Sequence, residues 1–172
     1  MTEEALPKSG GATVIPVKRL NHAVLFVRDL DVAVDFYTRA FAFEEIAREG
    51  GVMAFLRARG SENHHDLGLL ALGADAPHPP RGSTGLYHLA WEVGSLEDLA
   101  AARGTLSRLG ALVGASDHGA TKSLYARDPD GNEFEVMWML PREDWGEHAE
   151  SAITQPLDLE AERKKYGKKL LG

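Results

Sequence analysis

The chain has 172 residues, 44% of them apolar and 26% charged, with a net charge of −7, which is enough for one domain with a proper buried core. The acidic balance argues against nucleic acid or an anionic membrane surface as the main partner, because both need a basic footprint. The absence of cysteine excludes disulfides, thiolate catalysis and zinc–thiolate sites, and it points to a reducing compartment.

Residues 1–16, with Ser9-Gly10-Gly11 and scattered charges, read as a loose N-terminal arm, and structure is expected from Val17. They hold no apolar core like that of a signal peptide. No apolar run approaches the roughly 20 residues that cross a bilayer, so the cytoplasm is the expected location. Leu20–Val27 is short and mostly apolar, as a buried strand should be. Asp29-Leu30-Asp31 starts a helix whose stripe is Ala33, Phe36, Tyr37 and Ala40. Gly50-Gly51 is a turn, Val52–Ala58 a strand, Gly60–Asn63 a turn and Asp66–Leu72 a strand. The Pro- and Gly-rich stretch 74–85 is a linker.

The pattern then starts again. Leu86–Val93 is a strand, and Ser95 is an N-cap with Asp98 in a capping-box-like place. Leu99, Ala102, Leu106 and Leu109 form the next helical stripe, closed by Gly110. Strands follow at Leu112–Ala115, Ser123–Arg127 and Glu133–Leu140, the last two joined by Asp128-Pro129-Asp130-Gly131, a Pro-and-Gly turn. His22 lies five residues before Val27 and eight before Leu30, and His88 lies five before Val93 and eight before Leu96. The offset is 66 residues each time (22 to 88, 30 to 96). This is a duplicated strand–helix–strand–strand–strand unit, over about 18–73 and 86–140 of one α+β domain spanning 17–140, with a C-terminal tail at 141–172. In that tail Leu159–Leu171 has helical composition.

Of the seven histidines, His22 and His88 hold equivalent places in the two repeated strands. Alternation puts His22, Val24 and Phe26 on one face, and His88, Ala90 and Glu92 on one face. If the two faces meet, so do the imidazoles. Glu135 lies within Phe134-Glu135-Val136-Met137-Trp138, and a carboxylate among apolar residues is costly to bury without a partner. Two histidines and one carboxylate form a facial triad that suits non-haem Fe(II), although Mn(II) accepts the same donors.

The stretch from His118 through Leu124-Tyr125 and Asp128-Pro129-Asp130-Gly131 to Glu135 resembles the late signature of type I extradiol catechol dioxygenases. These belong to the vicinal oxygen chelate superfamily of glyoxalase, bleomycin-resistance and extradiol dioxygenase proteins. The resemblance covers about residues 18–140. It implies two βαβββ units with a metal site in the sheet cleft, and ring cleavage of a catechol-type aromatic diol with Fe(II) and O₂. His22, His88 and Glu135 would hold the metal. His65, favoured by register over its neighbour His64, would be the acid–base residue. Tyr125 would contact the deprotonated substrate oxygen, and His118 would hydrogen-bond near the substrate hydroxyl. Small members of the superfamily tend to dimerise, so a homodimer is expected.

The resemblance alone leaves rivals, because one fold hosts many chemistries. A metal-dependent isomerase, epimerase or thiol transferase is one. Glyoxalase and epimerase types usually add a Glu or Gln on the fourth strand of the first unit, and Asp66–Leu72 has neither. A metal-free binding protein of the bleomycin-resistance kind is another, but it would have no use for three ligands.

Overall fold

The computed structural model describes residues 15–80, 82–151 and 153–166; most of the expected N-terminal arm lies outside these residues. The first unit runs β1 (Ala23–Val27), α1 (Leu30–Phe41), β2 (Glu44–Glu49), β3 (Met53–Arg57) and β4 (Leu67–Ala71). Its sheet has the order β1-β4-β3-β2, with β1 parallel to β4 and the other pairs antiparallel. The second unit repeats the plan with β5 (Leu89–Glu92), α2 (Leu96–Arg108), β6 (Leu112–Asp117), β7 (Thr121–Arg127) and β8 (Glu133–Met139). Its order is β5-β8-β7-β6, to which a short β9 (Gln155–Pro156) is added beside β6.

Local chemistry explains the helix ends. The Asp29 carboxylate accepts the Val32 N–H at 3.0 Å, and Ser95 Oγ accepts the Asp98 N–H at 3.1 Å while its own hydroxyl donates to the Asp98 carboxylate. These side chains satisfy donors that the first helical turn leaves open. Gly110, at φ +67°, takes the left-handed turn that ends α2. Alternation holds along β1: Leu25 and Val27 are buried, whereas Val24 and Phe26 on the other face are 49% and 62% exposed. The repeated unit calls for a strand between α1 and β3, but the sequence alone assigns it no residues; it is β2. Its sequence, Glu-Glu-Ile-Ala-Arg-Glu, is exposed almost throughout, so no apolar alternation marks it, and pairing with β3 alone makes it a strand.

The two units share one core on their helix side. Phe134 of β8 is packed by the rings of Phe36, Tyr37 and Phe41 from α1, and Trp91 of β5 by Phe41 and Phe43. Polar ties reinforce this join. The Arg28 guanidinium donates to Asp130 at 2.7 Å and the Arg28 N–H to the same carboxylate at 3.1 Å. The Tyr37 hydroxyl donates to Asp128 at 3.1 Å. Burial pushes the Asp128 carboxyl above its ordinary value, against the opposing pull of Asn132 and Tyr37. Tyr37 itself is pushed well up by burial and by Asp128. Asp128 also accepts the N–H groups of Asp130 and Asn132 at 2.9 and 2.8 Å, which locks the turn between β7 and β8.

The segment after Leu140 is folded against the second unit. Two short 3₁₀ turns follow, with the Trp145 indole N–H donating to the Leu140 carbonyl at 2.8 Å. Then come β9 and α3 (Leu159–Tyr166), whose Leu159 and Tyr166 enter the core beside Trp138. Lys122 of β7, only 4% exposed at its side chain, bridges Asp117 at 2.6 Å and Glu162 of α3 at 3.2 Å. Arg163 adds a 3.0 Å hydrogen bond to Glu97 of α2.

Candidate functional site

On the second sheet, Tyr125 of β7 stands opposite Glu135 of β8, and Ala90 of β5 opposite Glu135 on its other side. The tight Asp128–Asn132 turn fixes that register, as the sequence spacing leads one to expect. Glu135 is 9% exposed and shares its face with buried Met137, so this carboxylate lies on an interior face. His88 lies one residue before β5, and its Nε2 is 3.1 Å from Glu135 Oε2. Its ring lies 5.7 Å from that of Tyr125. The Tyr125 hydroxyl and His118 Nε2 are 2.8 Å apart, and His118 Nδ1 lies 2.9 Å from the Ile153 carbonyl oxygen. His88, Glu135, Tyr125 and His118 therefore form one continuous cluster.

The first sheet carries a separate one. His22 lies one residue before β1, with its Nδ1 2.8 Å from the Asn21 side-chain oxygen. The Asn21 amide donates to Asn63 at 3.2 Å, the Asn63 amide donates to the Asn21 carbonyl at 2.9 Å and to Asp66 at 2.7 Å, and Arg19 also hydrogen-bonds Asn63. Burial opposes ionisation of Asp66, but the Ala58 N–H, the Ser61 hydroxyl and the Asn63 amide together hold its carboxyl below the ordinary range. His65 leans on His22 with centroids 4.4 Å apart, meets Phe55 edge-on at 4.9 Å and places its Nδ1 3.0 Å from that of His64. Its pKa is lowered by burial and by the neighbouring His22 and His64. His65, rather than His64, is the one packed on His22.

The two clusters do not join within one chain. Among the described residues, no group of three or more His, Asp or Glu side chains is close enough to hold a metal. His88 and Glu135 lie within hydrogen-bond distance of each other, yet His22, expected to meet them across a cleft, does not complete one ligand group with them among the described residues.

The donors themselves suit a divalent cation. Two ligands in cis at about 2.1 Å from one metal stand about 3 Å apart, which is the spacing of His88 Nε2 and Glu135 Oε2. At His22 the Asn21 oxygen takes the Nδ1 proton, which leaves Nε2 as the free lone pair; such an outer partner commonly sets a ligand's tautomer. His88 Nδ1 is buried with no such partner among the described residues. The sequence marks Asn63 only as a turn residue and does not single out Asn21 or the Ile153 carbonyl as site groups. Asn21 has the weak signal of a polar residue beside a strand histidine, whereas a backbone carbonyl 35 residues from its partner leaves none.

The Glyoxalase/Bleomycin resistance protein/Dioxygenase superfamily model matches residues 19–136. The chain is 30% identical over 130 residues to Catechol-2,3-dioxygenase of Bacillus subtilis (strain 168), covering 73% of this chain and 43% of that protein. It is 33% identical over 126 residues to Biphenyl-2,3-diol 1,2-dioxygenase 3 of Rhodococcus globerulus, covering 72% and 64% respectively. The chain thus spans less than two thirds of the length of these curated relatives. Among solved structures, a glyoxylase/bleomycin resistance protein/dioxygenase domain from Frankia sp. EAN1pec superposes with a TM-score of 0.61 at 24% identity, over 72% of this chain and 99% of that one. That likeness concerns the fold.

Proposed function

Because the chain belongs to the Glyoxalase/Bleomycin resistance protein/Dioxygenase superfamily, we propose that it is an extradiol ring-cleaving dioxygenase acting on a small catechol-type diol with O₂ and a divalent metal, Fe(II) before Mn(II). The observation that carries this reading is the cluster of His88, Glu135, Tyr125 and His118 on one sheet face. A binding protein without chemistry has no need of a buried carboxylate aimed at an imidazole beside a tyrosine–histidine pair. The names of the two curated relatives point the same way.

The active form in this proposal is a homodimer. His88 and Glu135 of one copy supply two ligands, and His22 of a second copy supplies the third, accompanied by the His65 packed against it. Exposed Val24 and Phe26 on the His22 face give the second copy an apolar surface to cover. A bound metal would supply chelation of the two adjacent substrate oxygens and an open position for O₂. The protein's own groups do the rest. Tyr125 and His118 hydrogen-bond the substrate oxygens and orient the ring. His65 holds or releases a proton at the reacting oxygen, as a near-neutral imidazole can.

Anaerobic loading with Fe(II), followed by aerobic addition of a panel of catechols, tests the proposal. A yellow ring-opened product with stoichiometric O₂ uptake is expected. Metal binding without O₂ uptake across the panel would overturn the dioxygenase reading in favour of isomerase or transferase chemistry.

A further inference from the structure

Resting on the site proposed above, we propose that Glu92 is a specificity-determining residue, and that the diol taken there carries a cationic, amine-bearing side chain opposite its two hydroxyls. The pleat of the second sheet supplies the geometry. From β5, Ala90 stands opposite Glu135 and Glu92 opposite Met137. From β7, Tyr125 and Ser123 stand opposite the same two residues of β8. Cross-strand partners share a face, so Glu92 lies on the face of His88, Glu135 and Tyr125, one row of side chains further along. Two residues of strand put that row roughly 7 Å from the Glu135 row. A diol held through adjacent oxygens beside His88 and Glu135 spans that distance with its ring, so a short side chain on the far carbon ends near Glu92.

The direction of the ring follows from what flanks Glu135 on β8. On one side come Met137 and Met139, whose thioethers suit a flat ring. On the other side stands Glu133, engaged by Arg127 at 3.1 Å, which fills that side with a paired charge. The charge of the side chain follows from what surrounds Glu92. Leu89 and Trp91 pack against the core, which leaves Ala90 and Glu92 exposed on the ligand-facing side of β5. The Glu92 carboxylate has no hydrogen-bond or ion-pair partner among the described residues, so its oxygens are open to a donor. On strands β5 to β8 this face carries no Lys or Arg besides Arg127, because Lys122 points the other way, to Glu162. An anionic side chain would meet Glu92 with no cation to offset it, and the net charge of −7 repels it further. A neutral side chain forms no charge-assisted hydrogen bond there.

The experiment compares catechols that differ only in one ring substituent: aminoethyl, ethyl or carboxymethyl. Their binding to the full, Fe(II)-loaded chain is measured by anaerobic calorimetry, and their relative kcat/KM under O₂ is measured beside it. The aminoethyl compound should bind about tenfold more tightly than the carboxymethyl one at low salt, with the ethyl compound between them. The gap should narrow as salt screens an exposed carboxylate. Glu92→Gln should bring the three affinities together, and Glu92→Lys should reverse their order. Equal binding of the three by the parent, or a preference that survives in Glu92→Gln, overturns the proposal. Preference without O₂ uptake leaves Glu92 its role and removes the dioxygenase reading, whereas cleavage without preference does the opposite. Binding of none of the three removes the diol site and this inference with it.

Discussion

In the first unit His22 opens a face that runs on through Val24 and Phe26 into wide exposure, and its partners are the adjacent Asn21 and His65 of the β3–β4 turn. In the second unit His88 opens the equivalent face, but it meets a buried carboxylate, a tyrosine and a second histidine. The units share one plan, yet among the described residues β9 pairs with β6 and α3 packs on α2, both in the second unit. A duplication thus preserves register and not surroundings. The half on which β9 and α3 pack holds the His88, Glu135, Tyr125 and His118 cluster, and the other half presents an open face.

The sharpest way to break this comparison is to treat the two histidines as belonging to different copies. His22→Ala and His88→Ala proteins should each lose metal affinity by about 100-fold or more, since even outer-shell changes cost 10–100-fold. Mixed after partial unfolding and refolding, the two should recover sites, because one kind of mixed site pairs an intact His22 with an intact His88. Metal titration of the mixture reads this, and no recovery would mean that each site is built within one chain. Next in size is the core between the units. Phe134→Ala should cost about 3–5 kcal/mol in urea unfolding, as expected for a fully buried ring packed by three others. Lys122→Met removes the buried cation shared by Asp117 and Glu162. It should cost about 2 kcal/mol, less than for fully enclosed pairs because both carboxylates are partly exposed, and amide exchange should rise first in α3.

The smallest expected effect concerns the two strand-connecting turns, and it has opposite signs in them. Asp66, in the β3–β4 turn, has a carboxyl held below its ordinary value of 3.8. Its contribution is present above that value and is lost as pH falls through the lowered one. Asp128, in the β7–β8 turn, has a carboxyl raised above the same ordinary value. Its contribution is complete below 3.8 and declines as pH rises through the raised one. Thermal midpoints across the acid range should therefore fall less steeply with acid in Asp66→Asn than in the parent. Asp128→Asn should reduce the decline on the rising side. Equal slopes in both variants would show that the two turns are electrically alike.

Much of this molecule is legible in its sequence because local rules govern it. The 66-residue offset, the capped starts at Asp29 and Ser95, the Gly110 stop and the period-two faces are each set within a few residues. The opposition of Tyr125 and Glu135 also follows from one short turn of known type. The ligand candidates on each strand could be named for the same reason. Strand β2 could not, since exposed pairing leaves no apolar pattern, and neither could β9, whose two residues are a strand only beside β6.

What the tertiary structure alone decided is which candidates meet. The sequence places His22 and His88 at matching positions in two matching units, but symmetry of position says nothing about the packing between the units. That packing is set by Phe134 and Trp91 under α1 and by Arg28 on Asp130. These contacts join residues 48 to 102 positions apart, and no local periodicity encodes them. The same holds for Ile153 and His118, where a backbone carbonyl, common to every residue, gains its meaning only from where the chain returns.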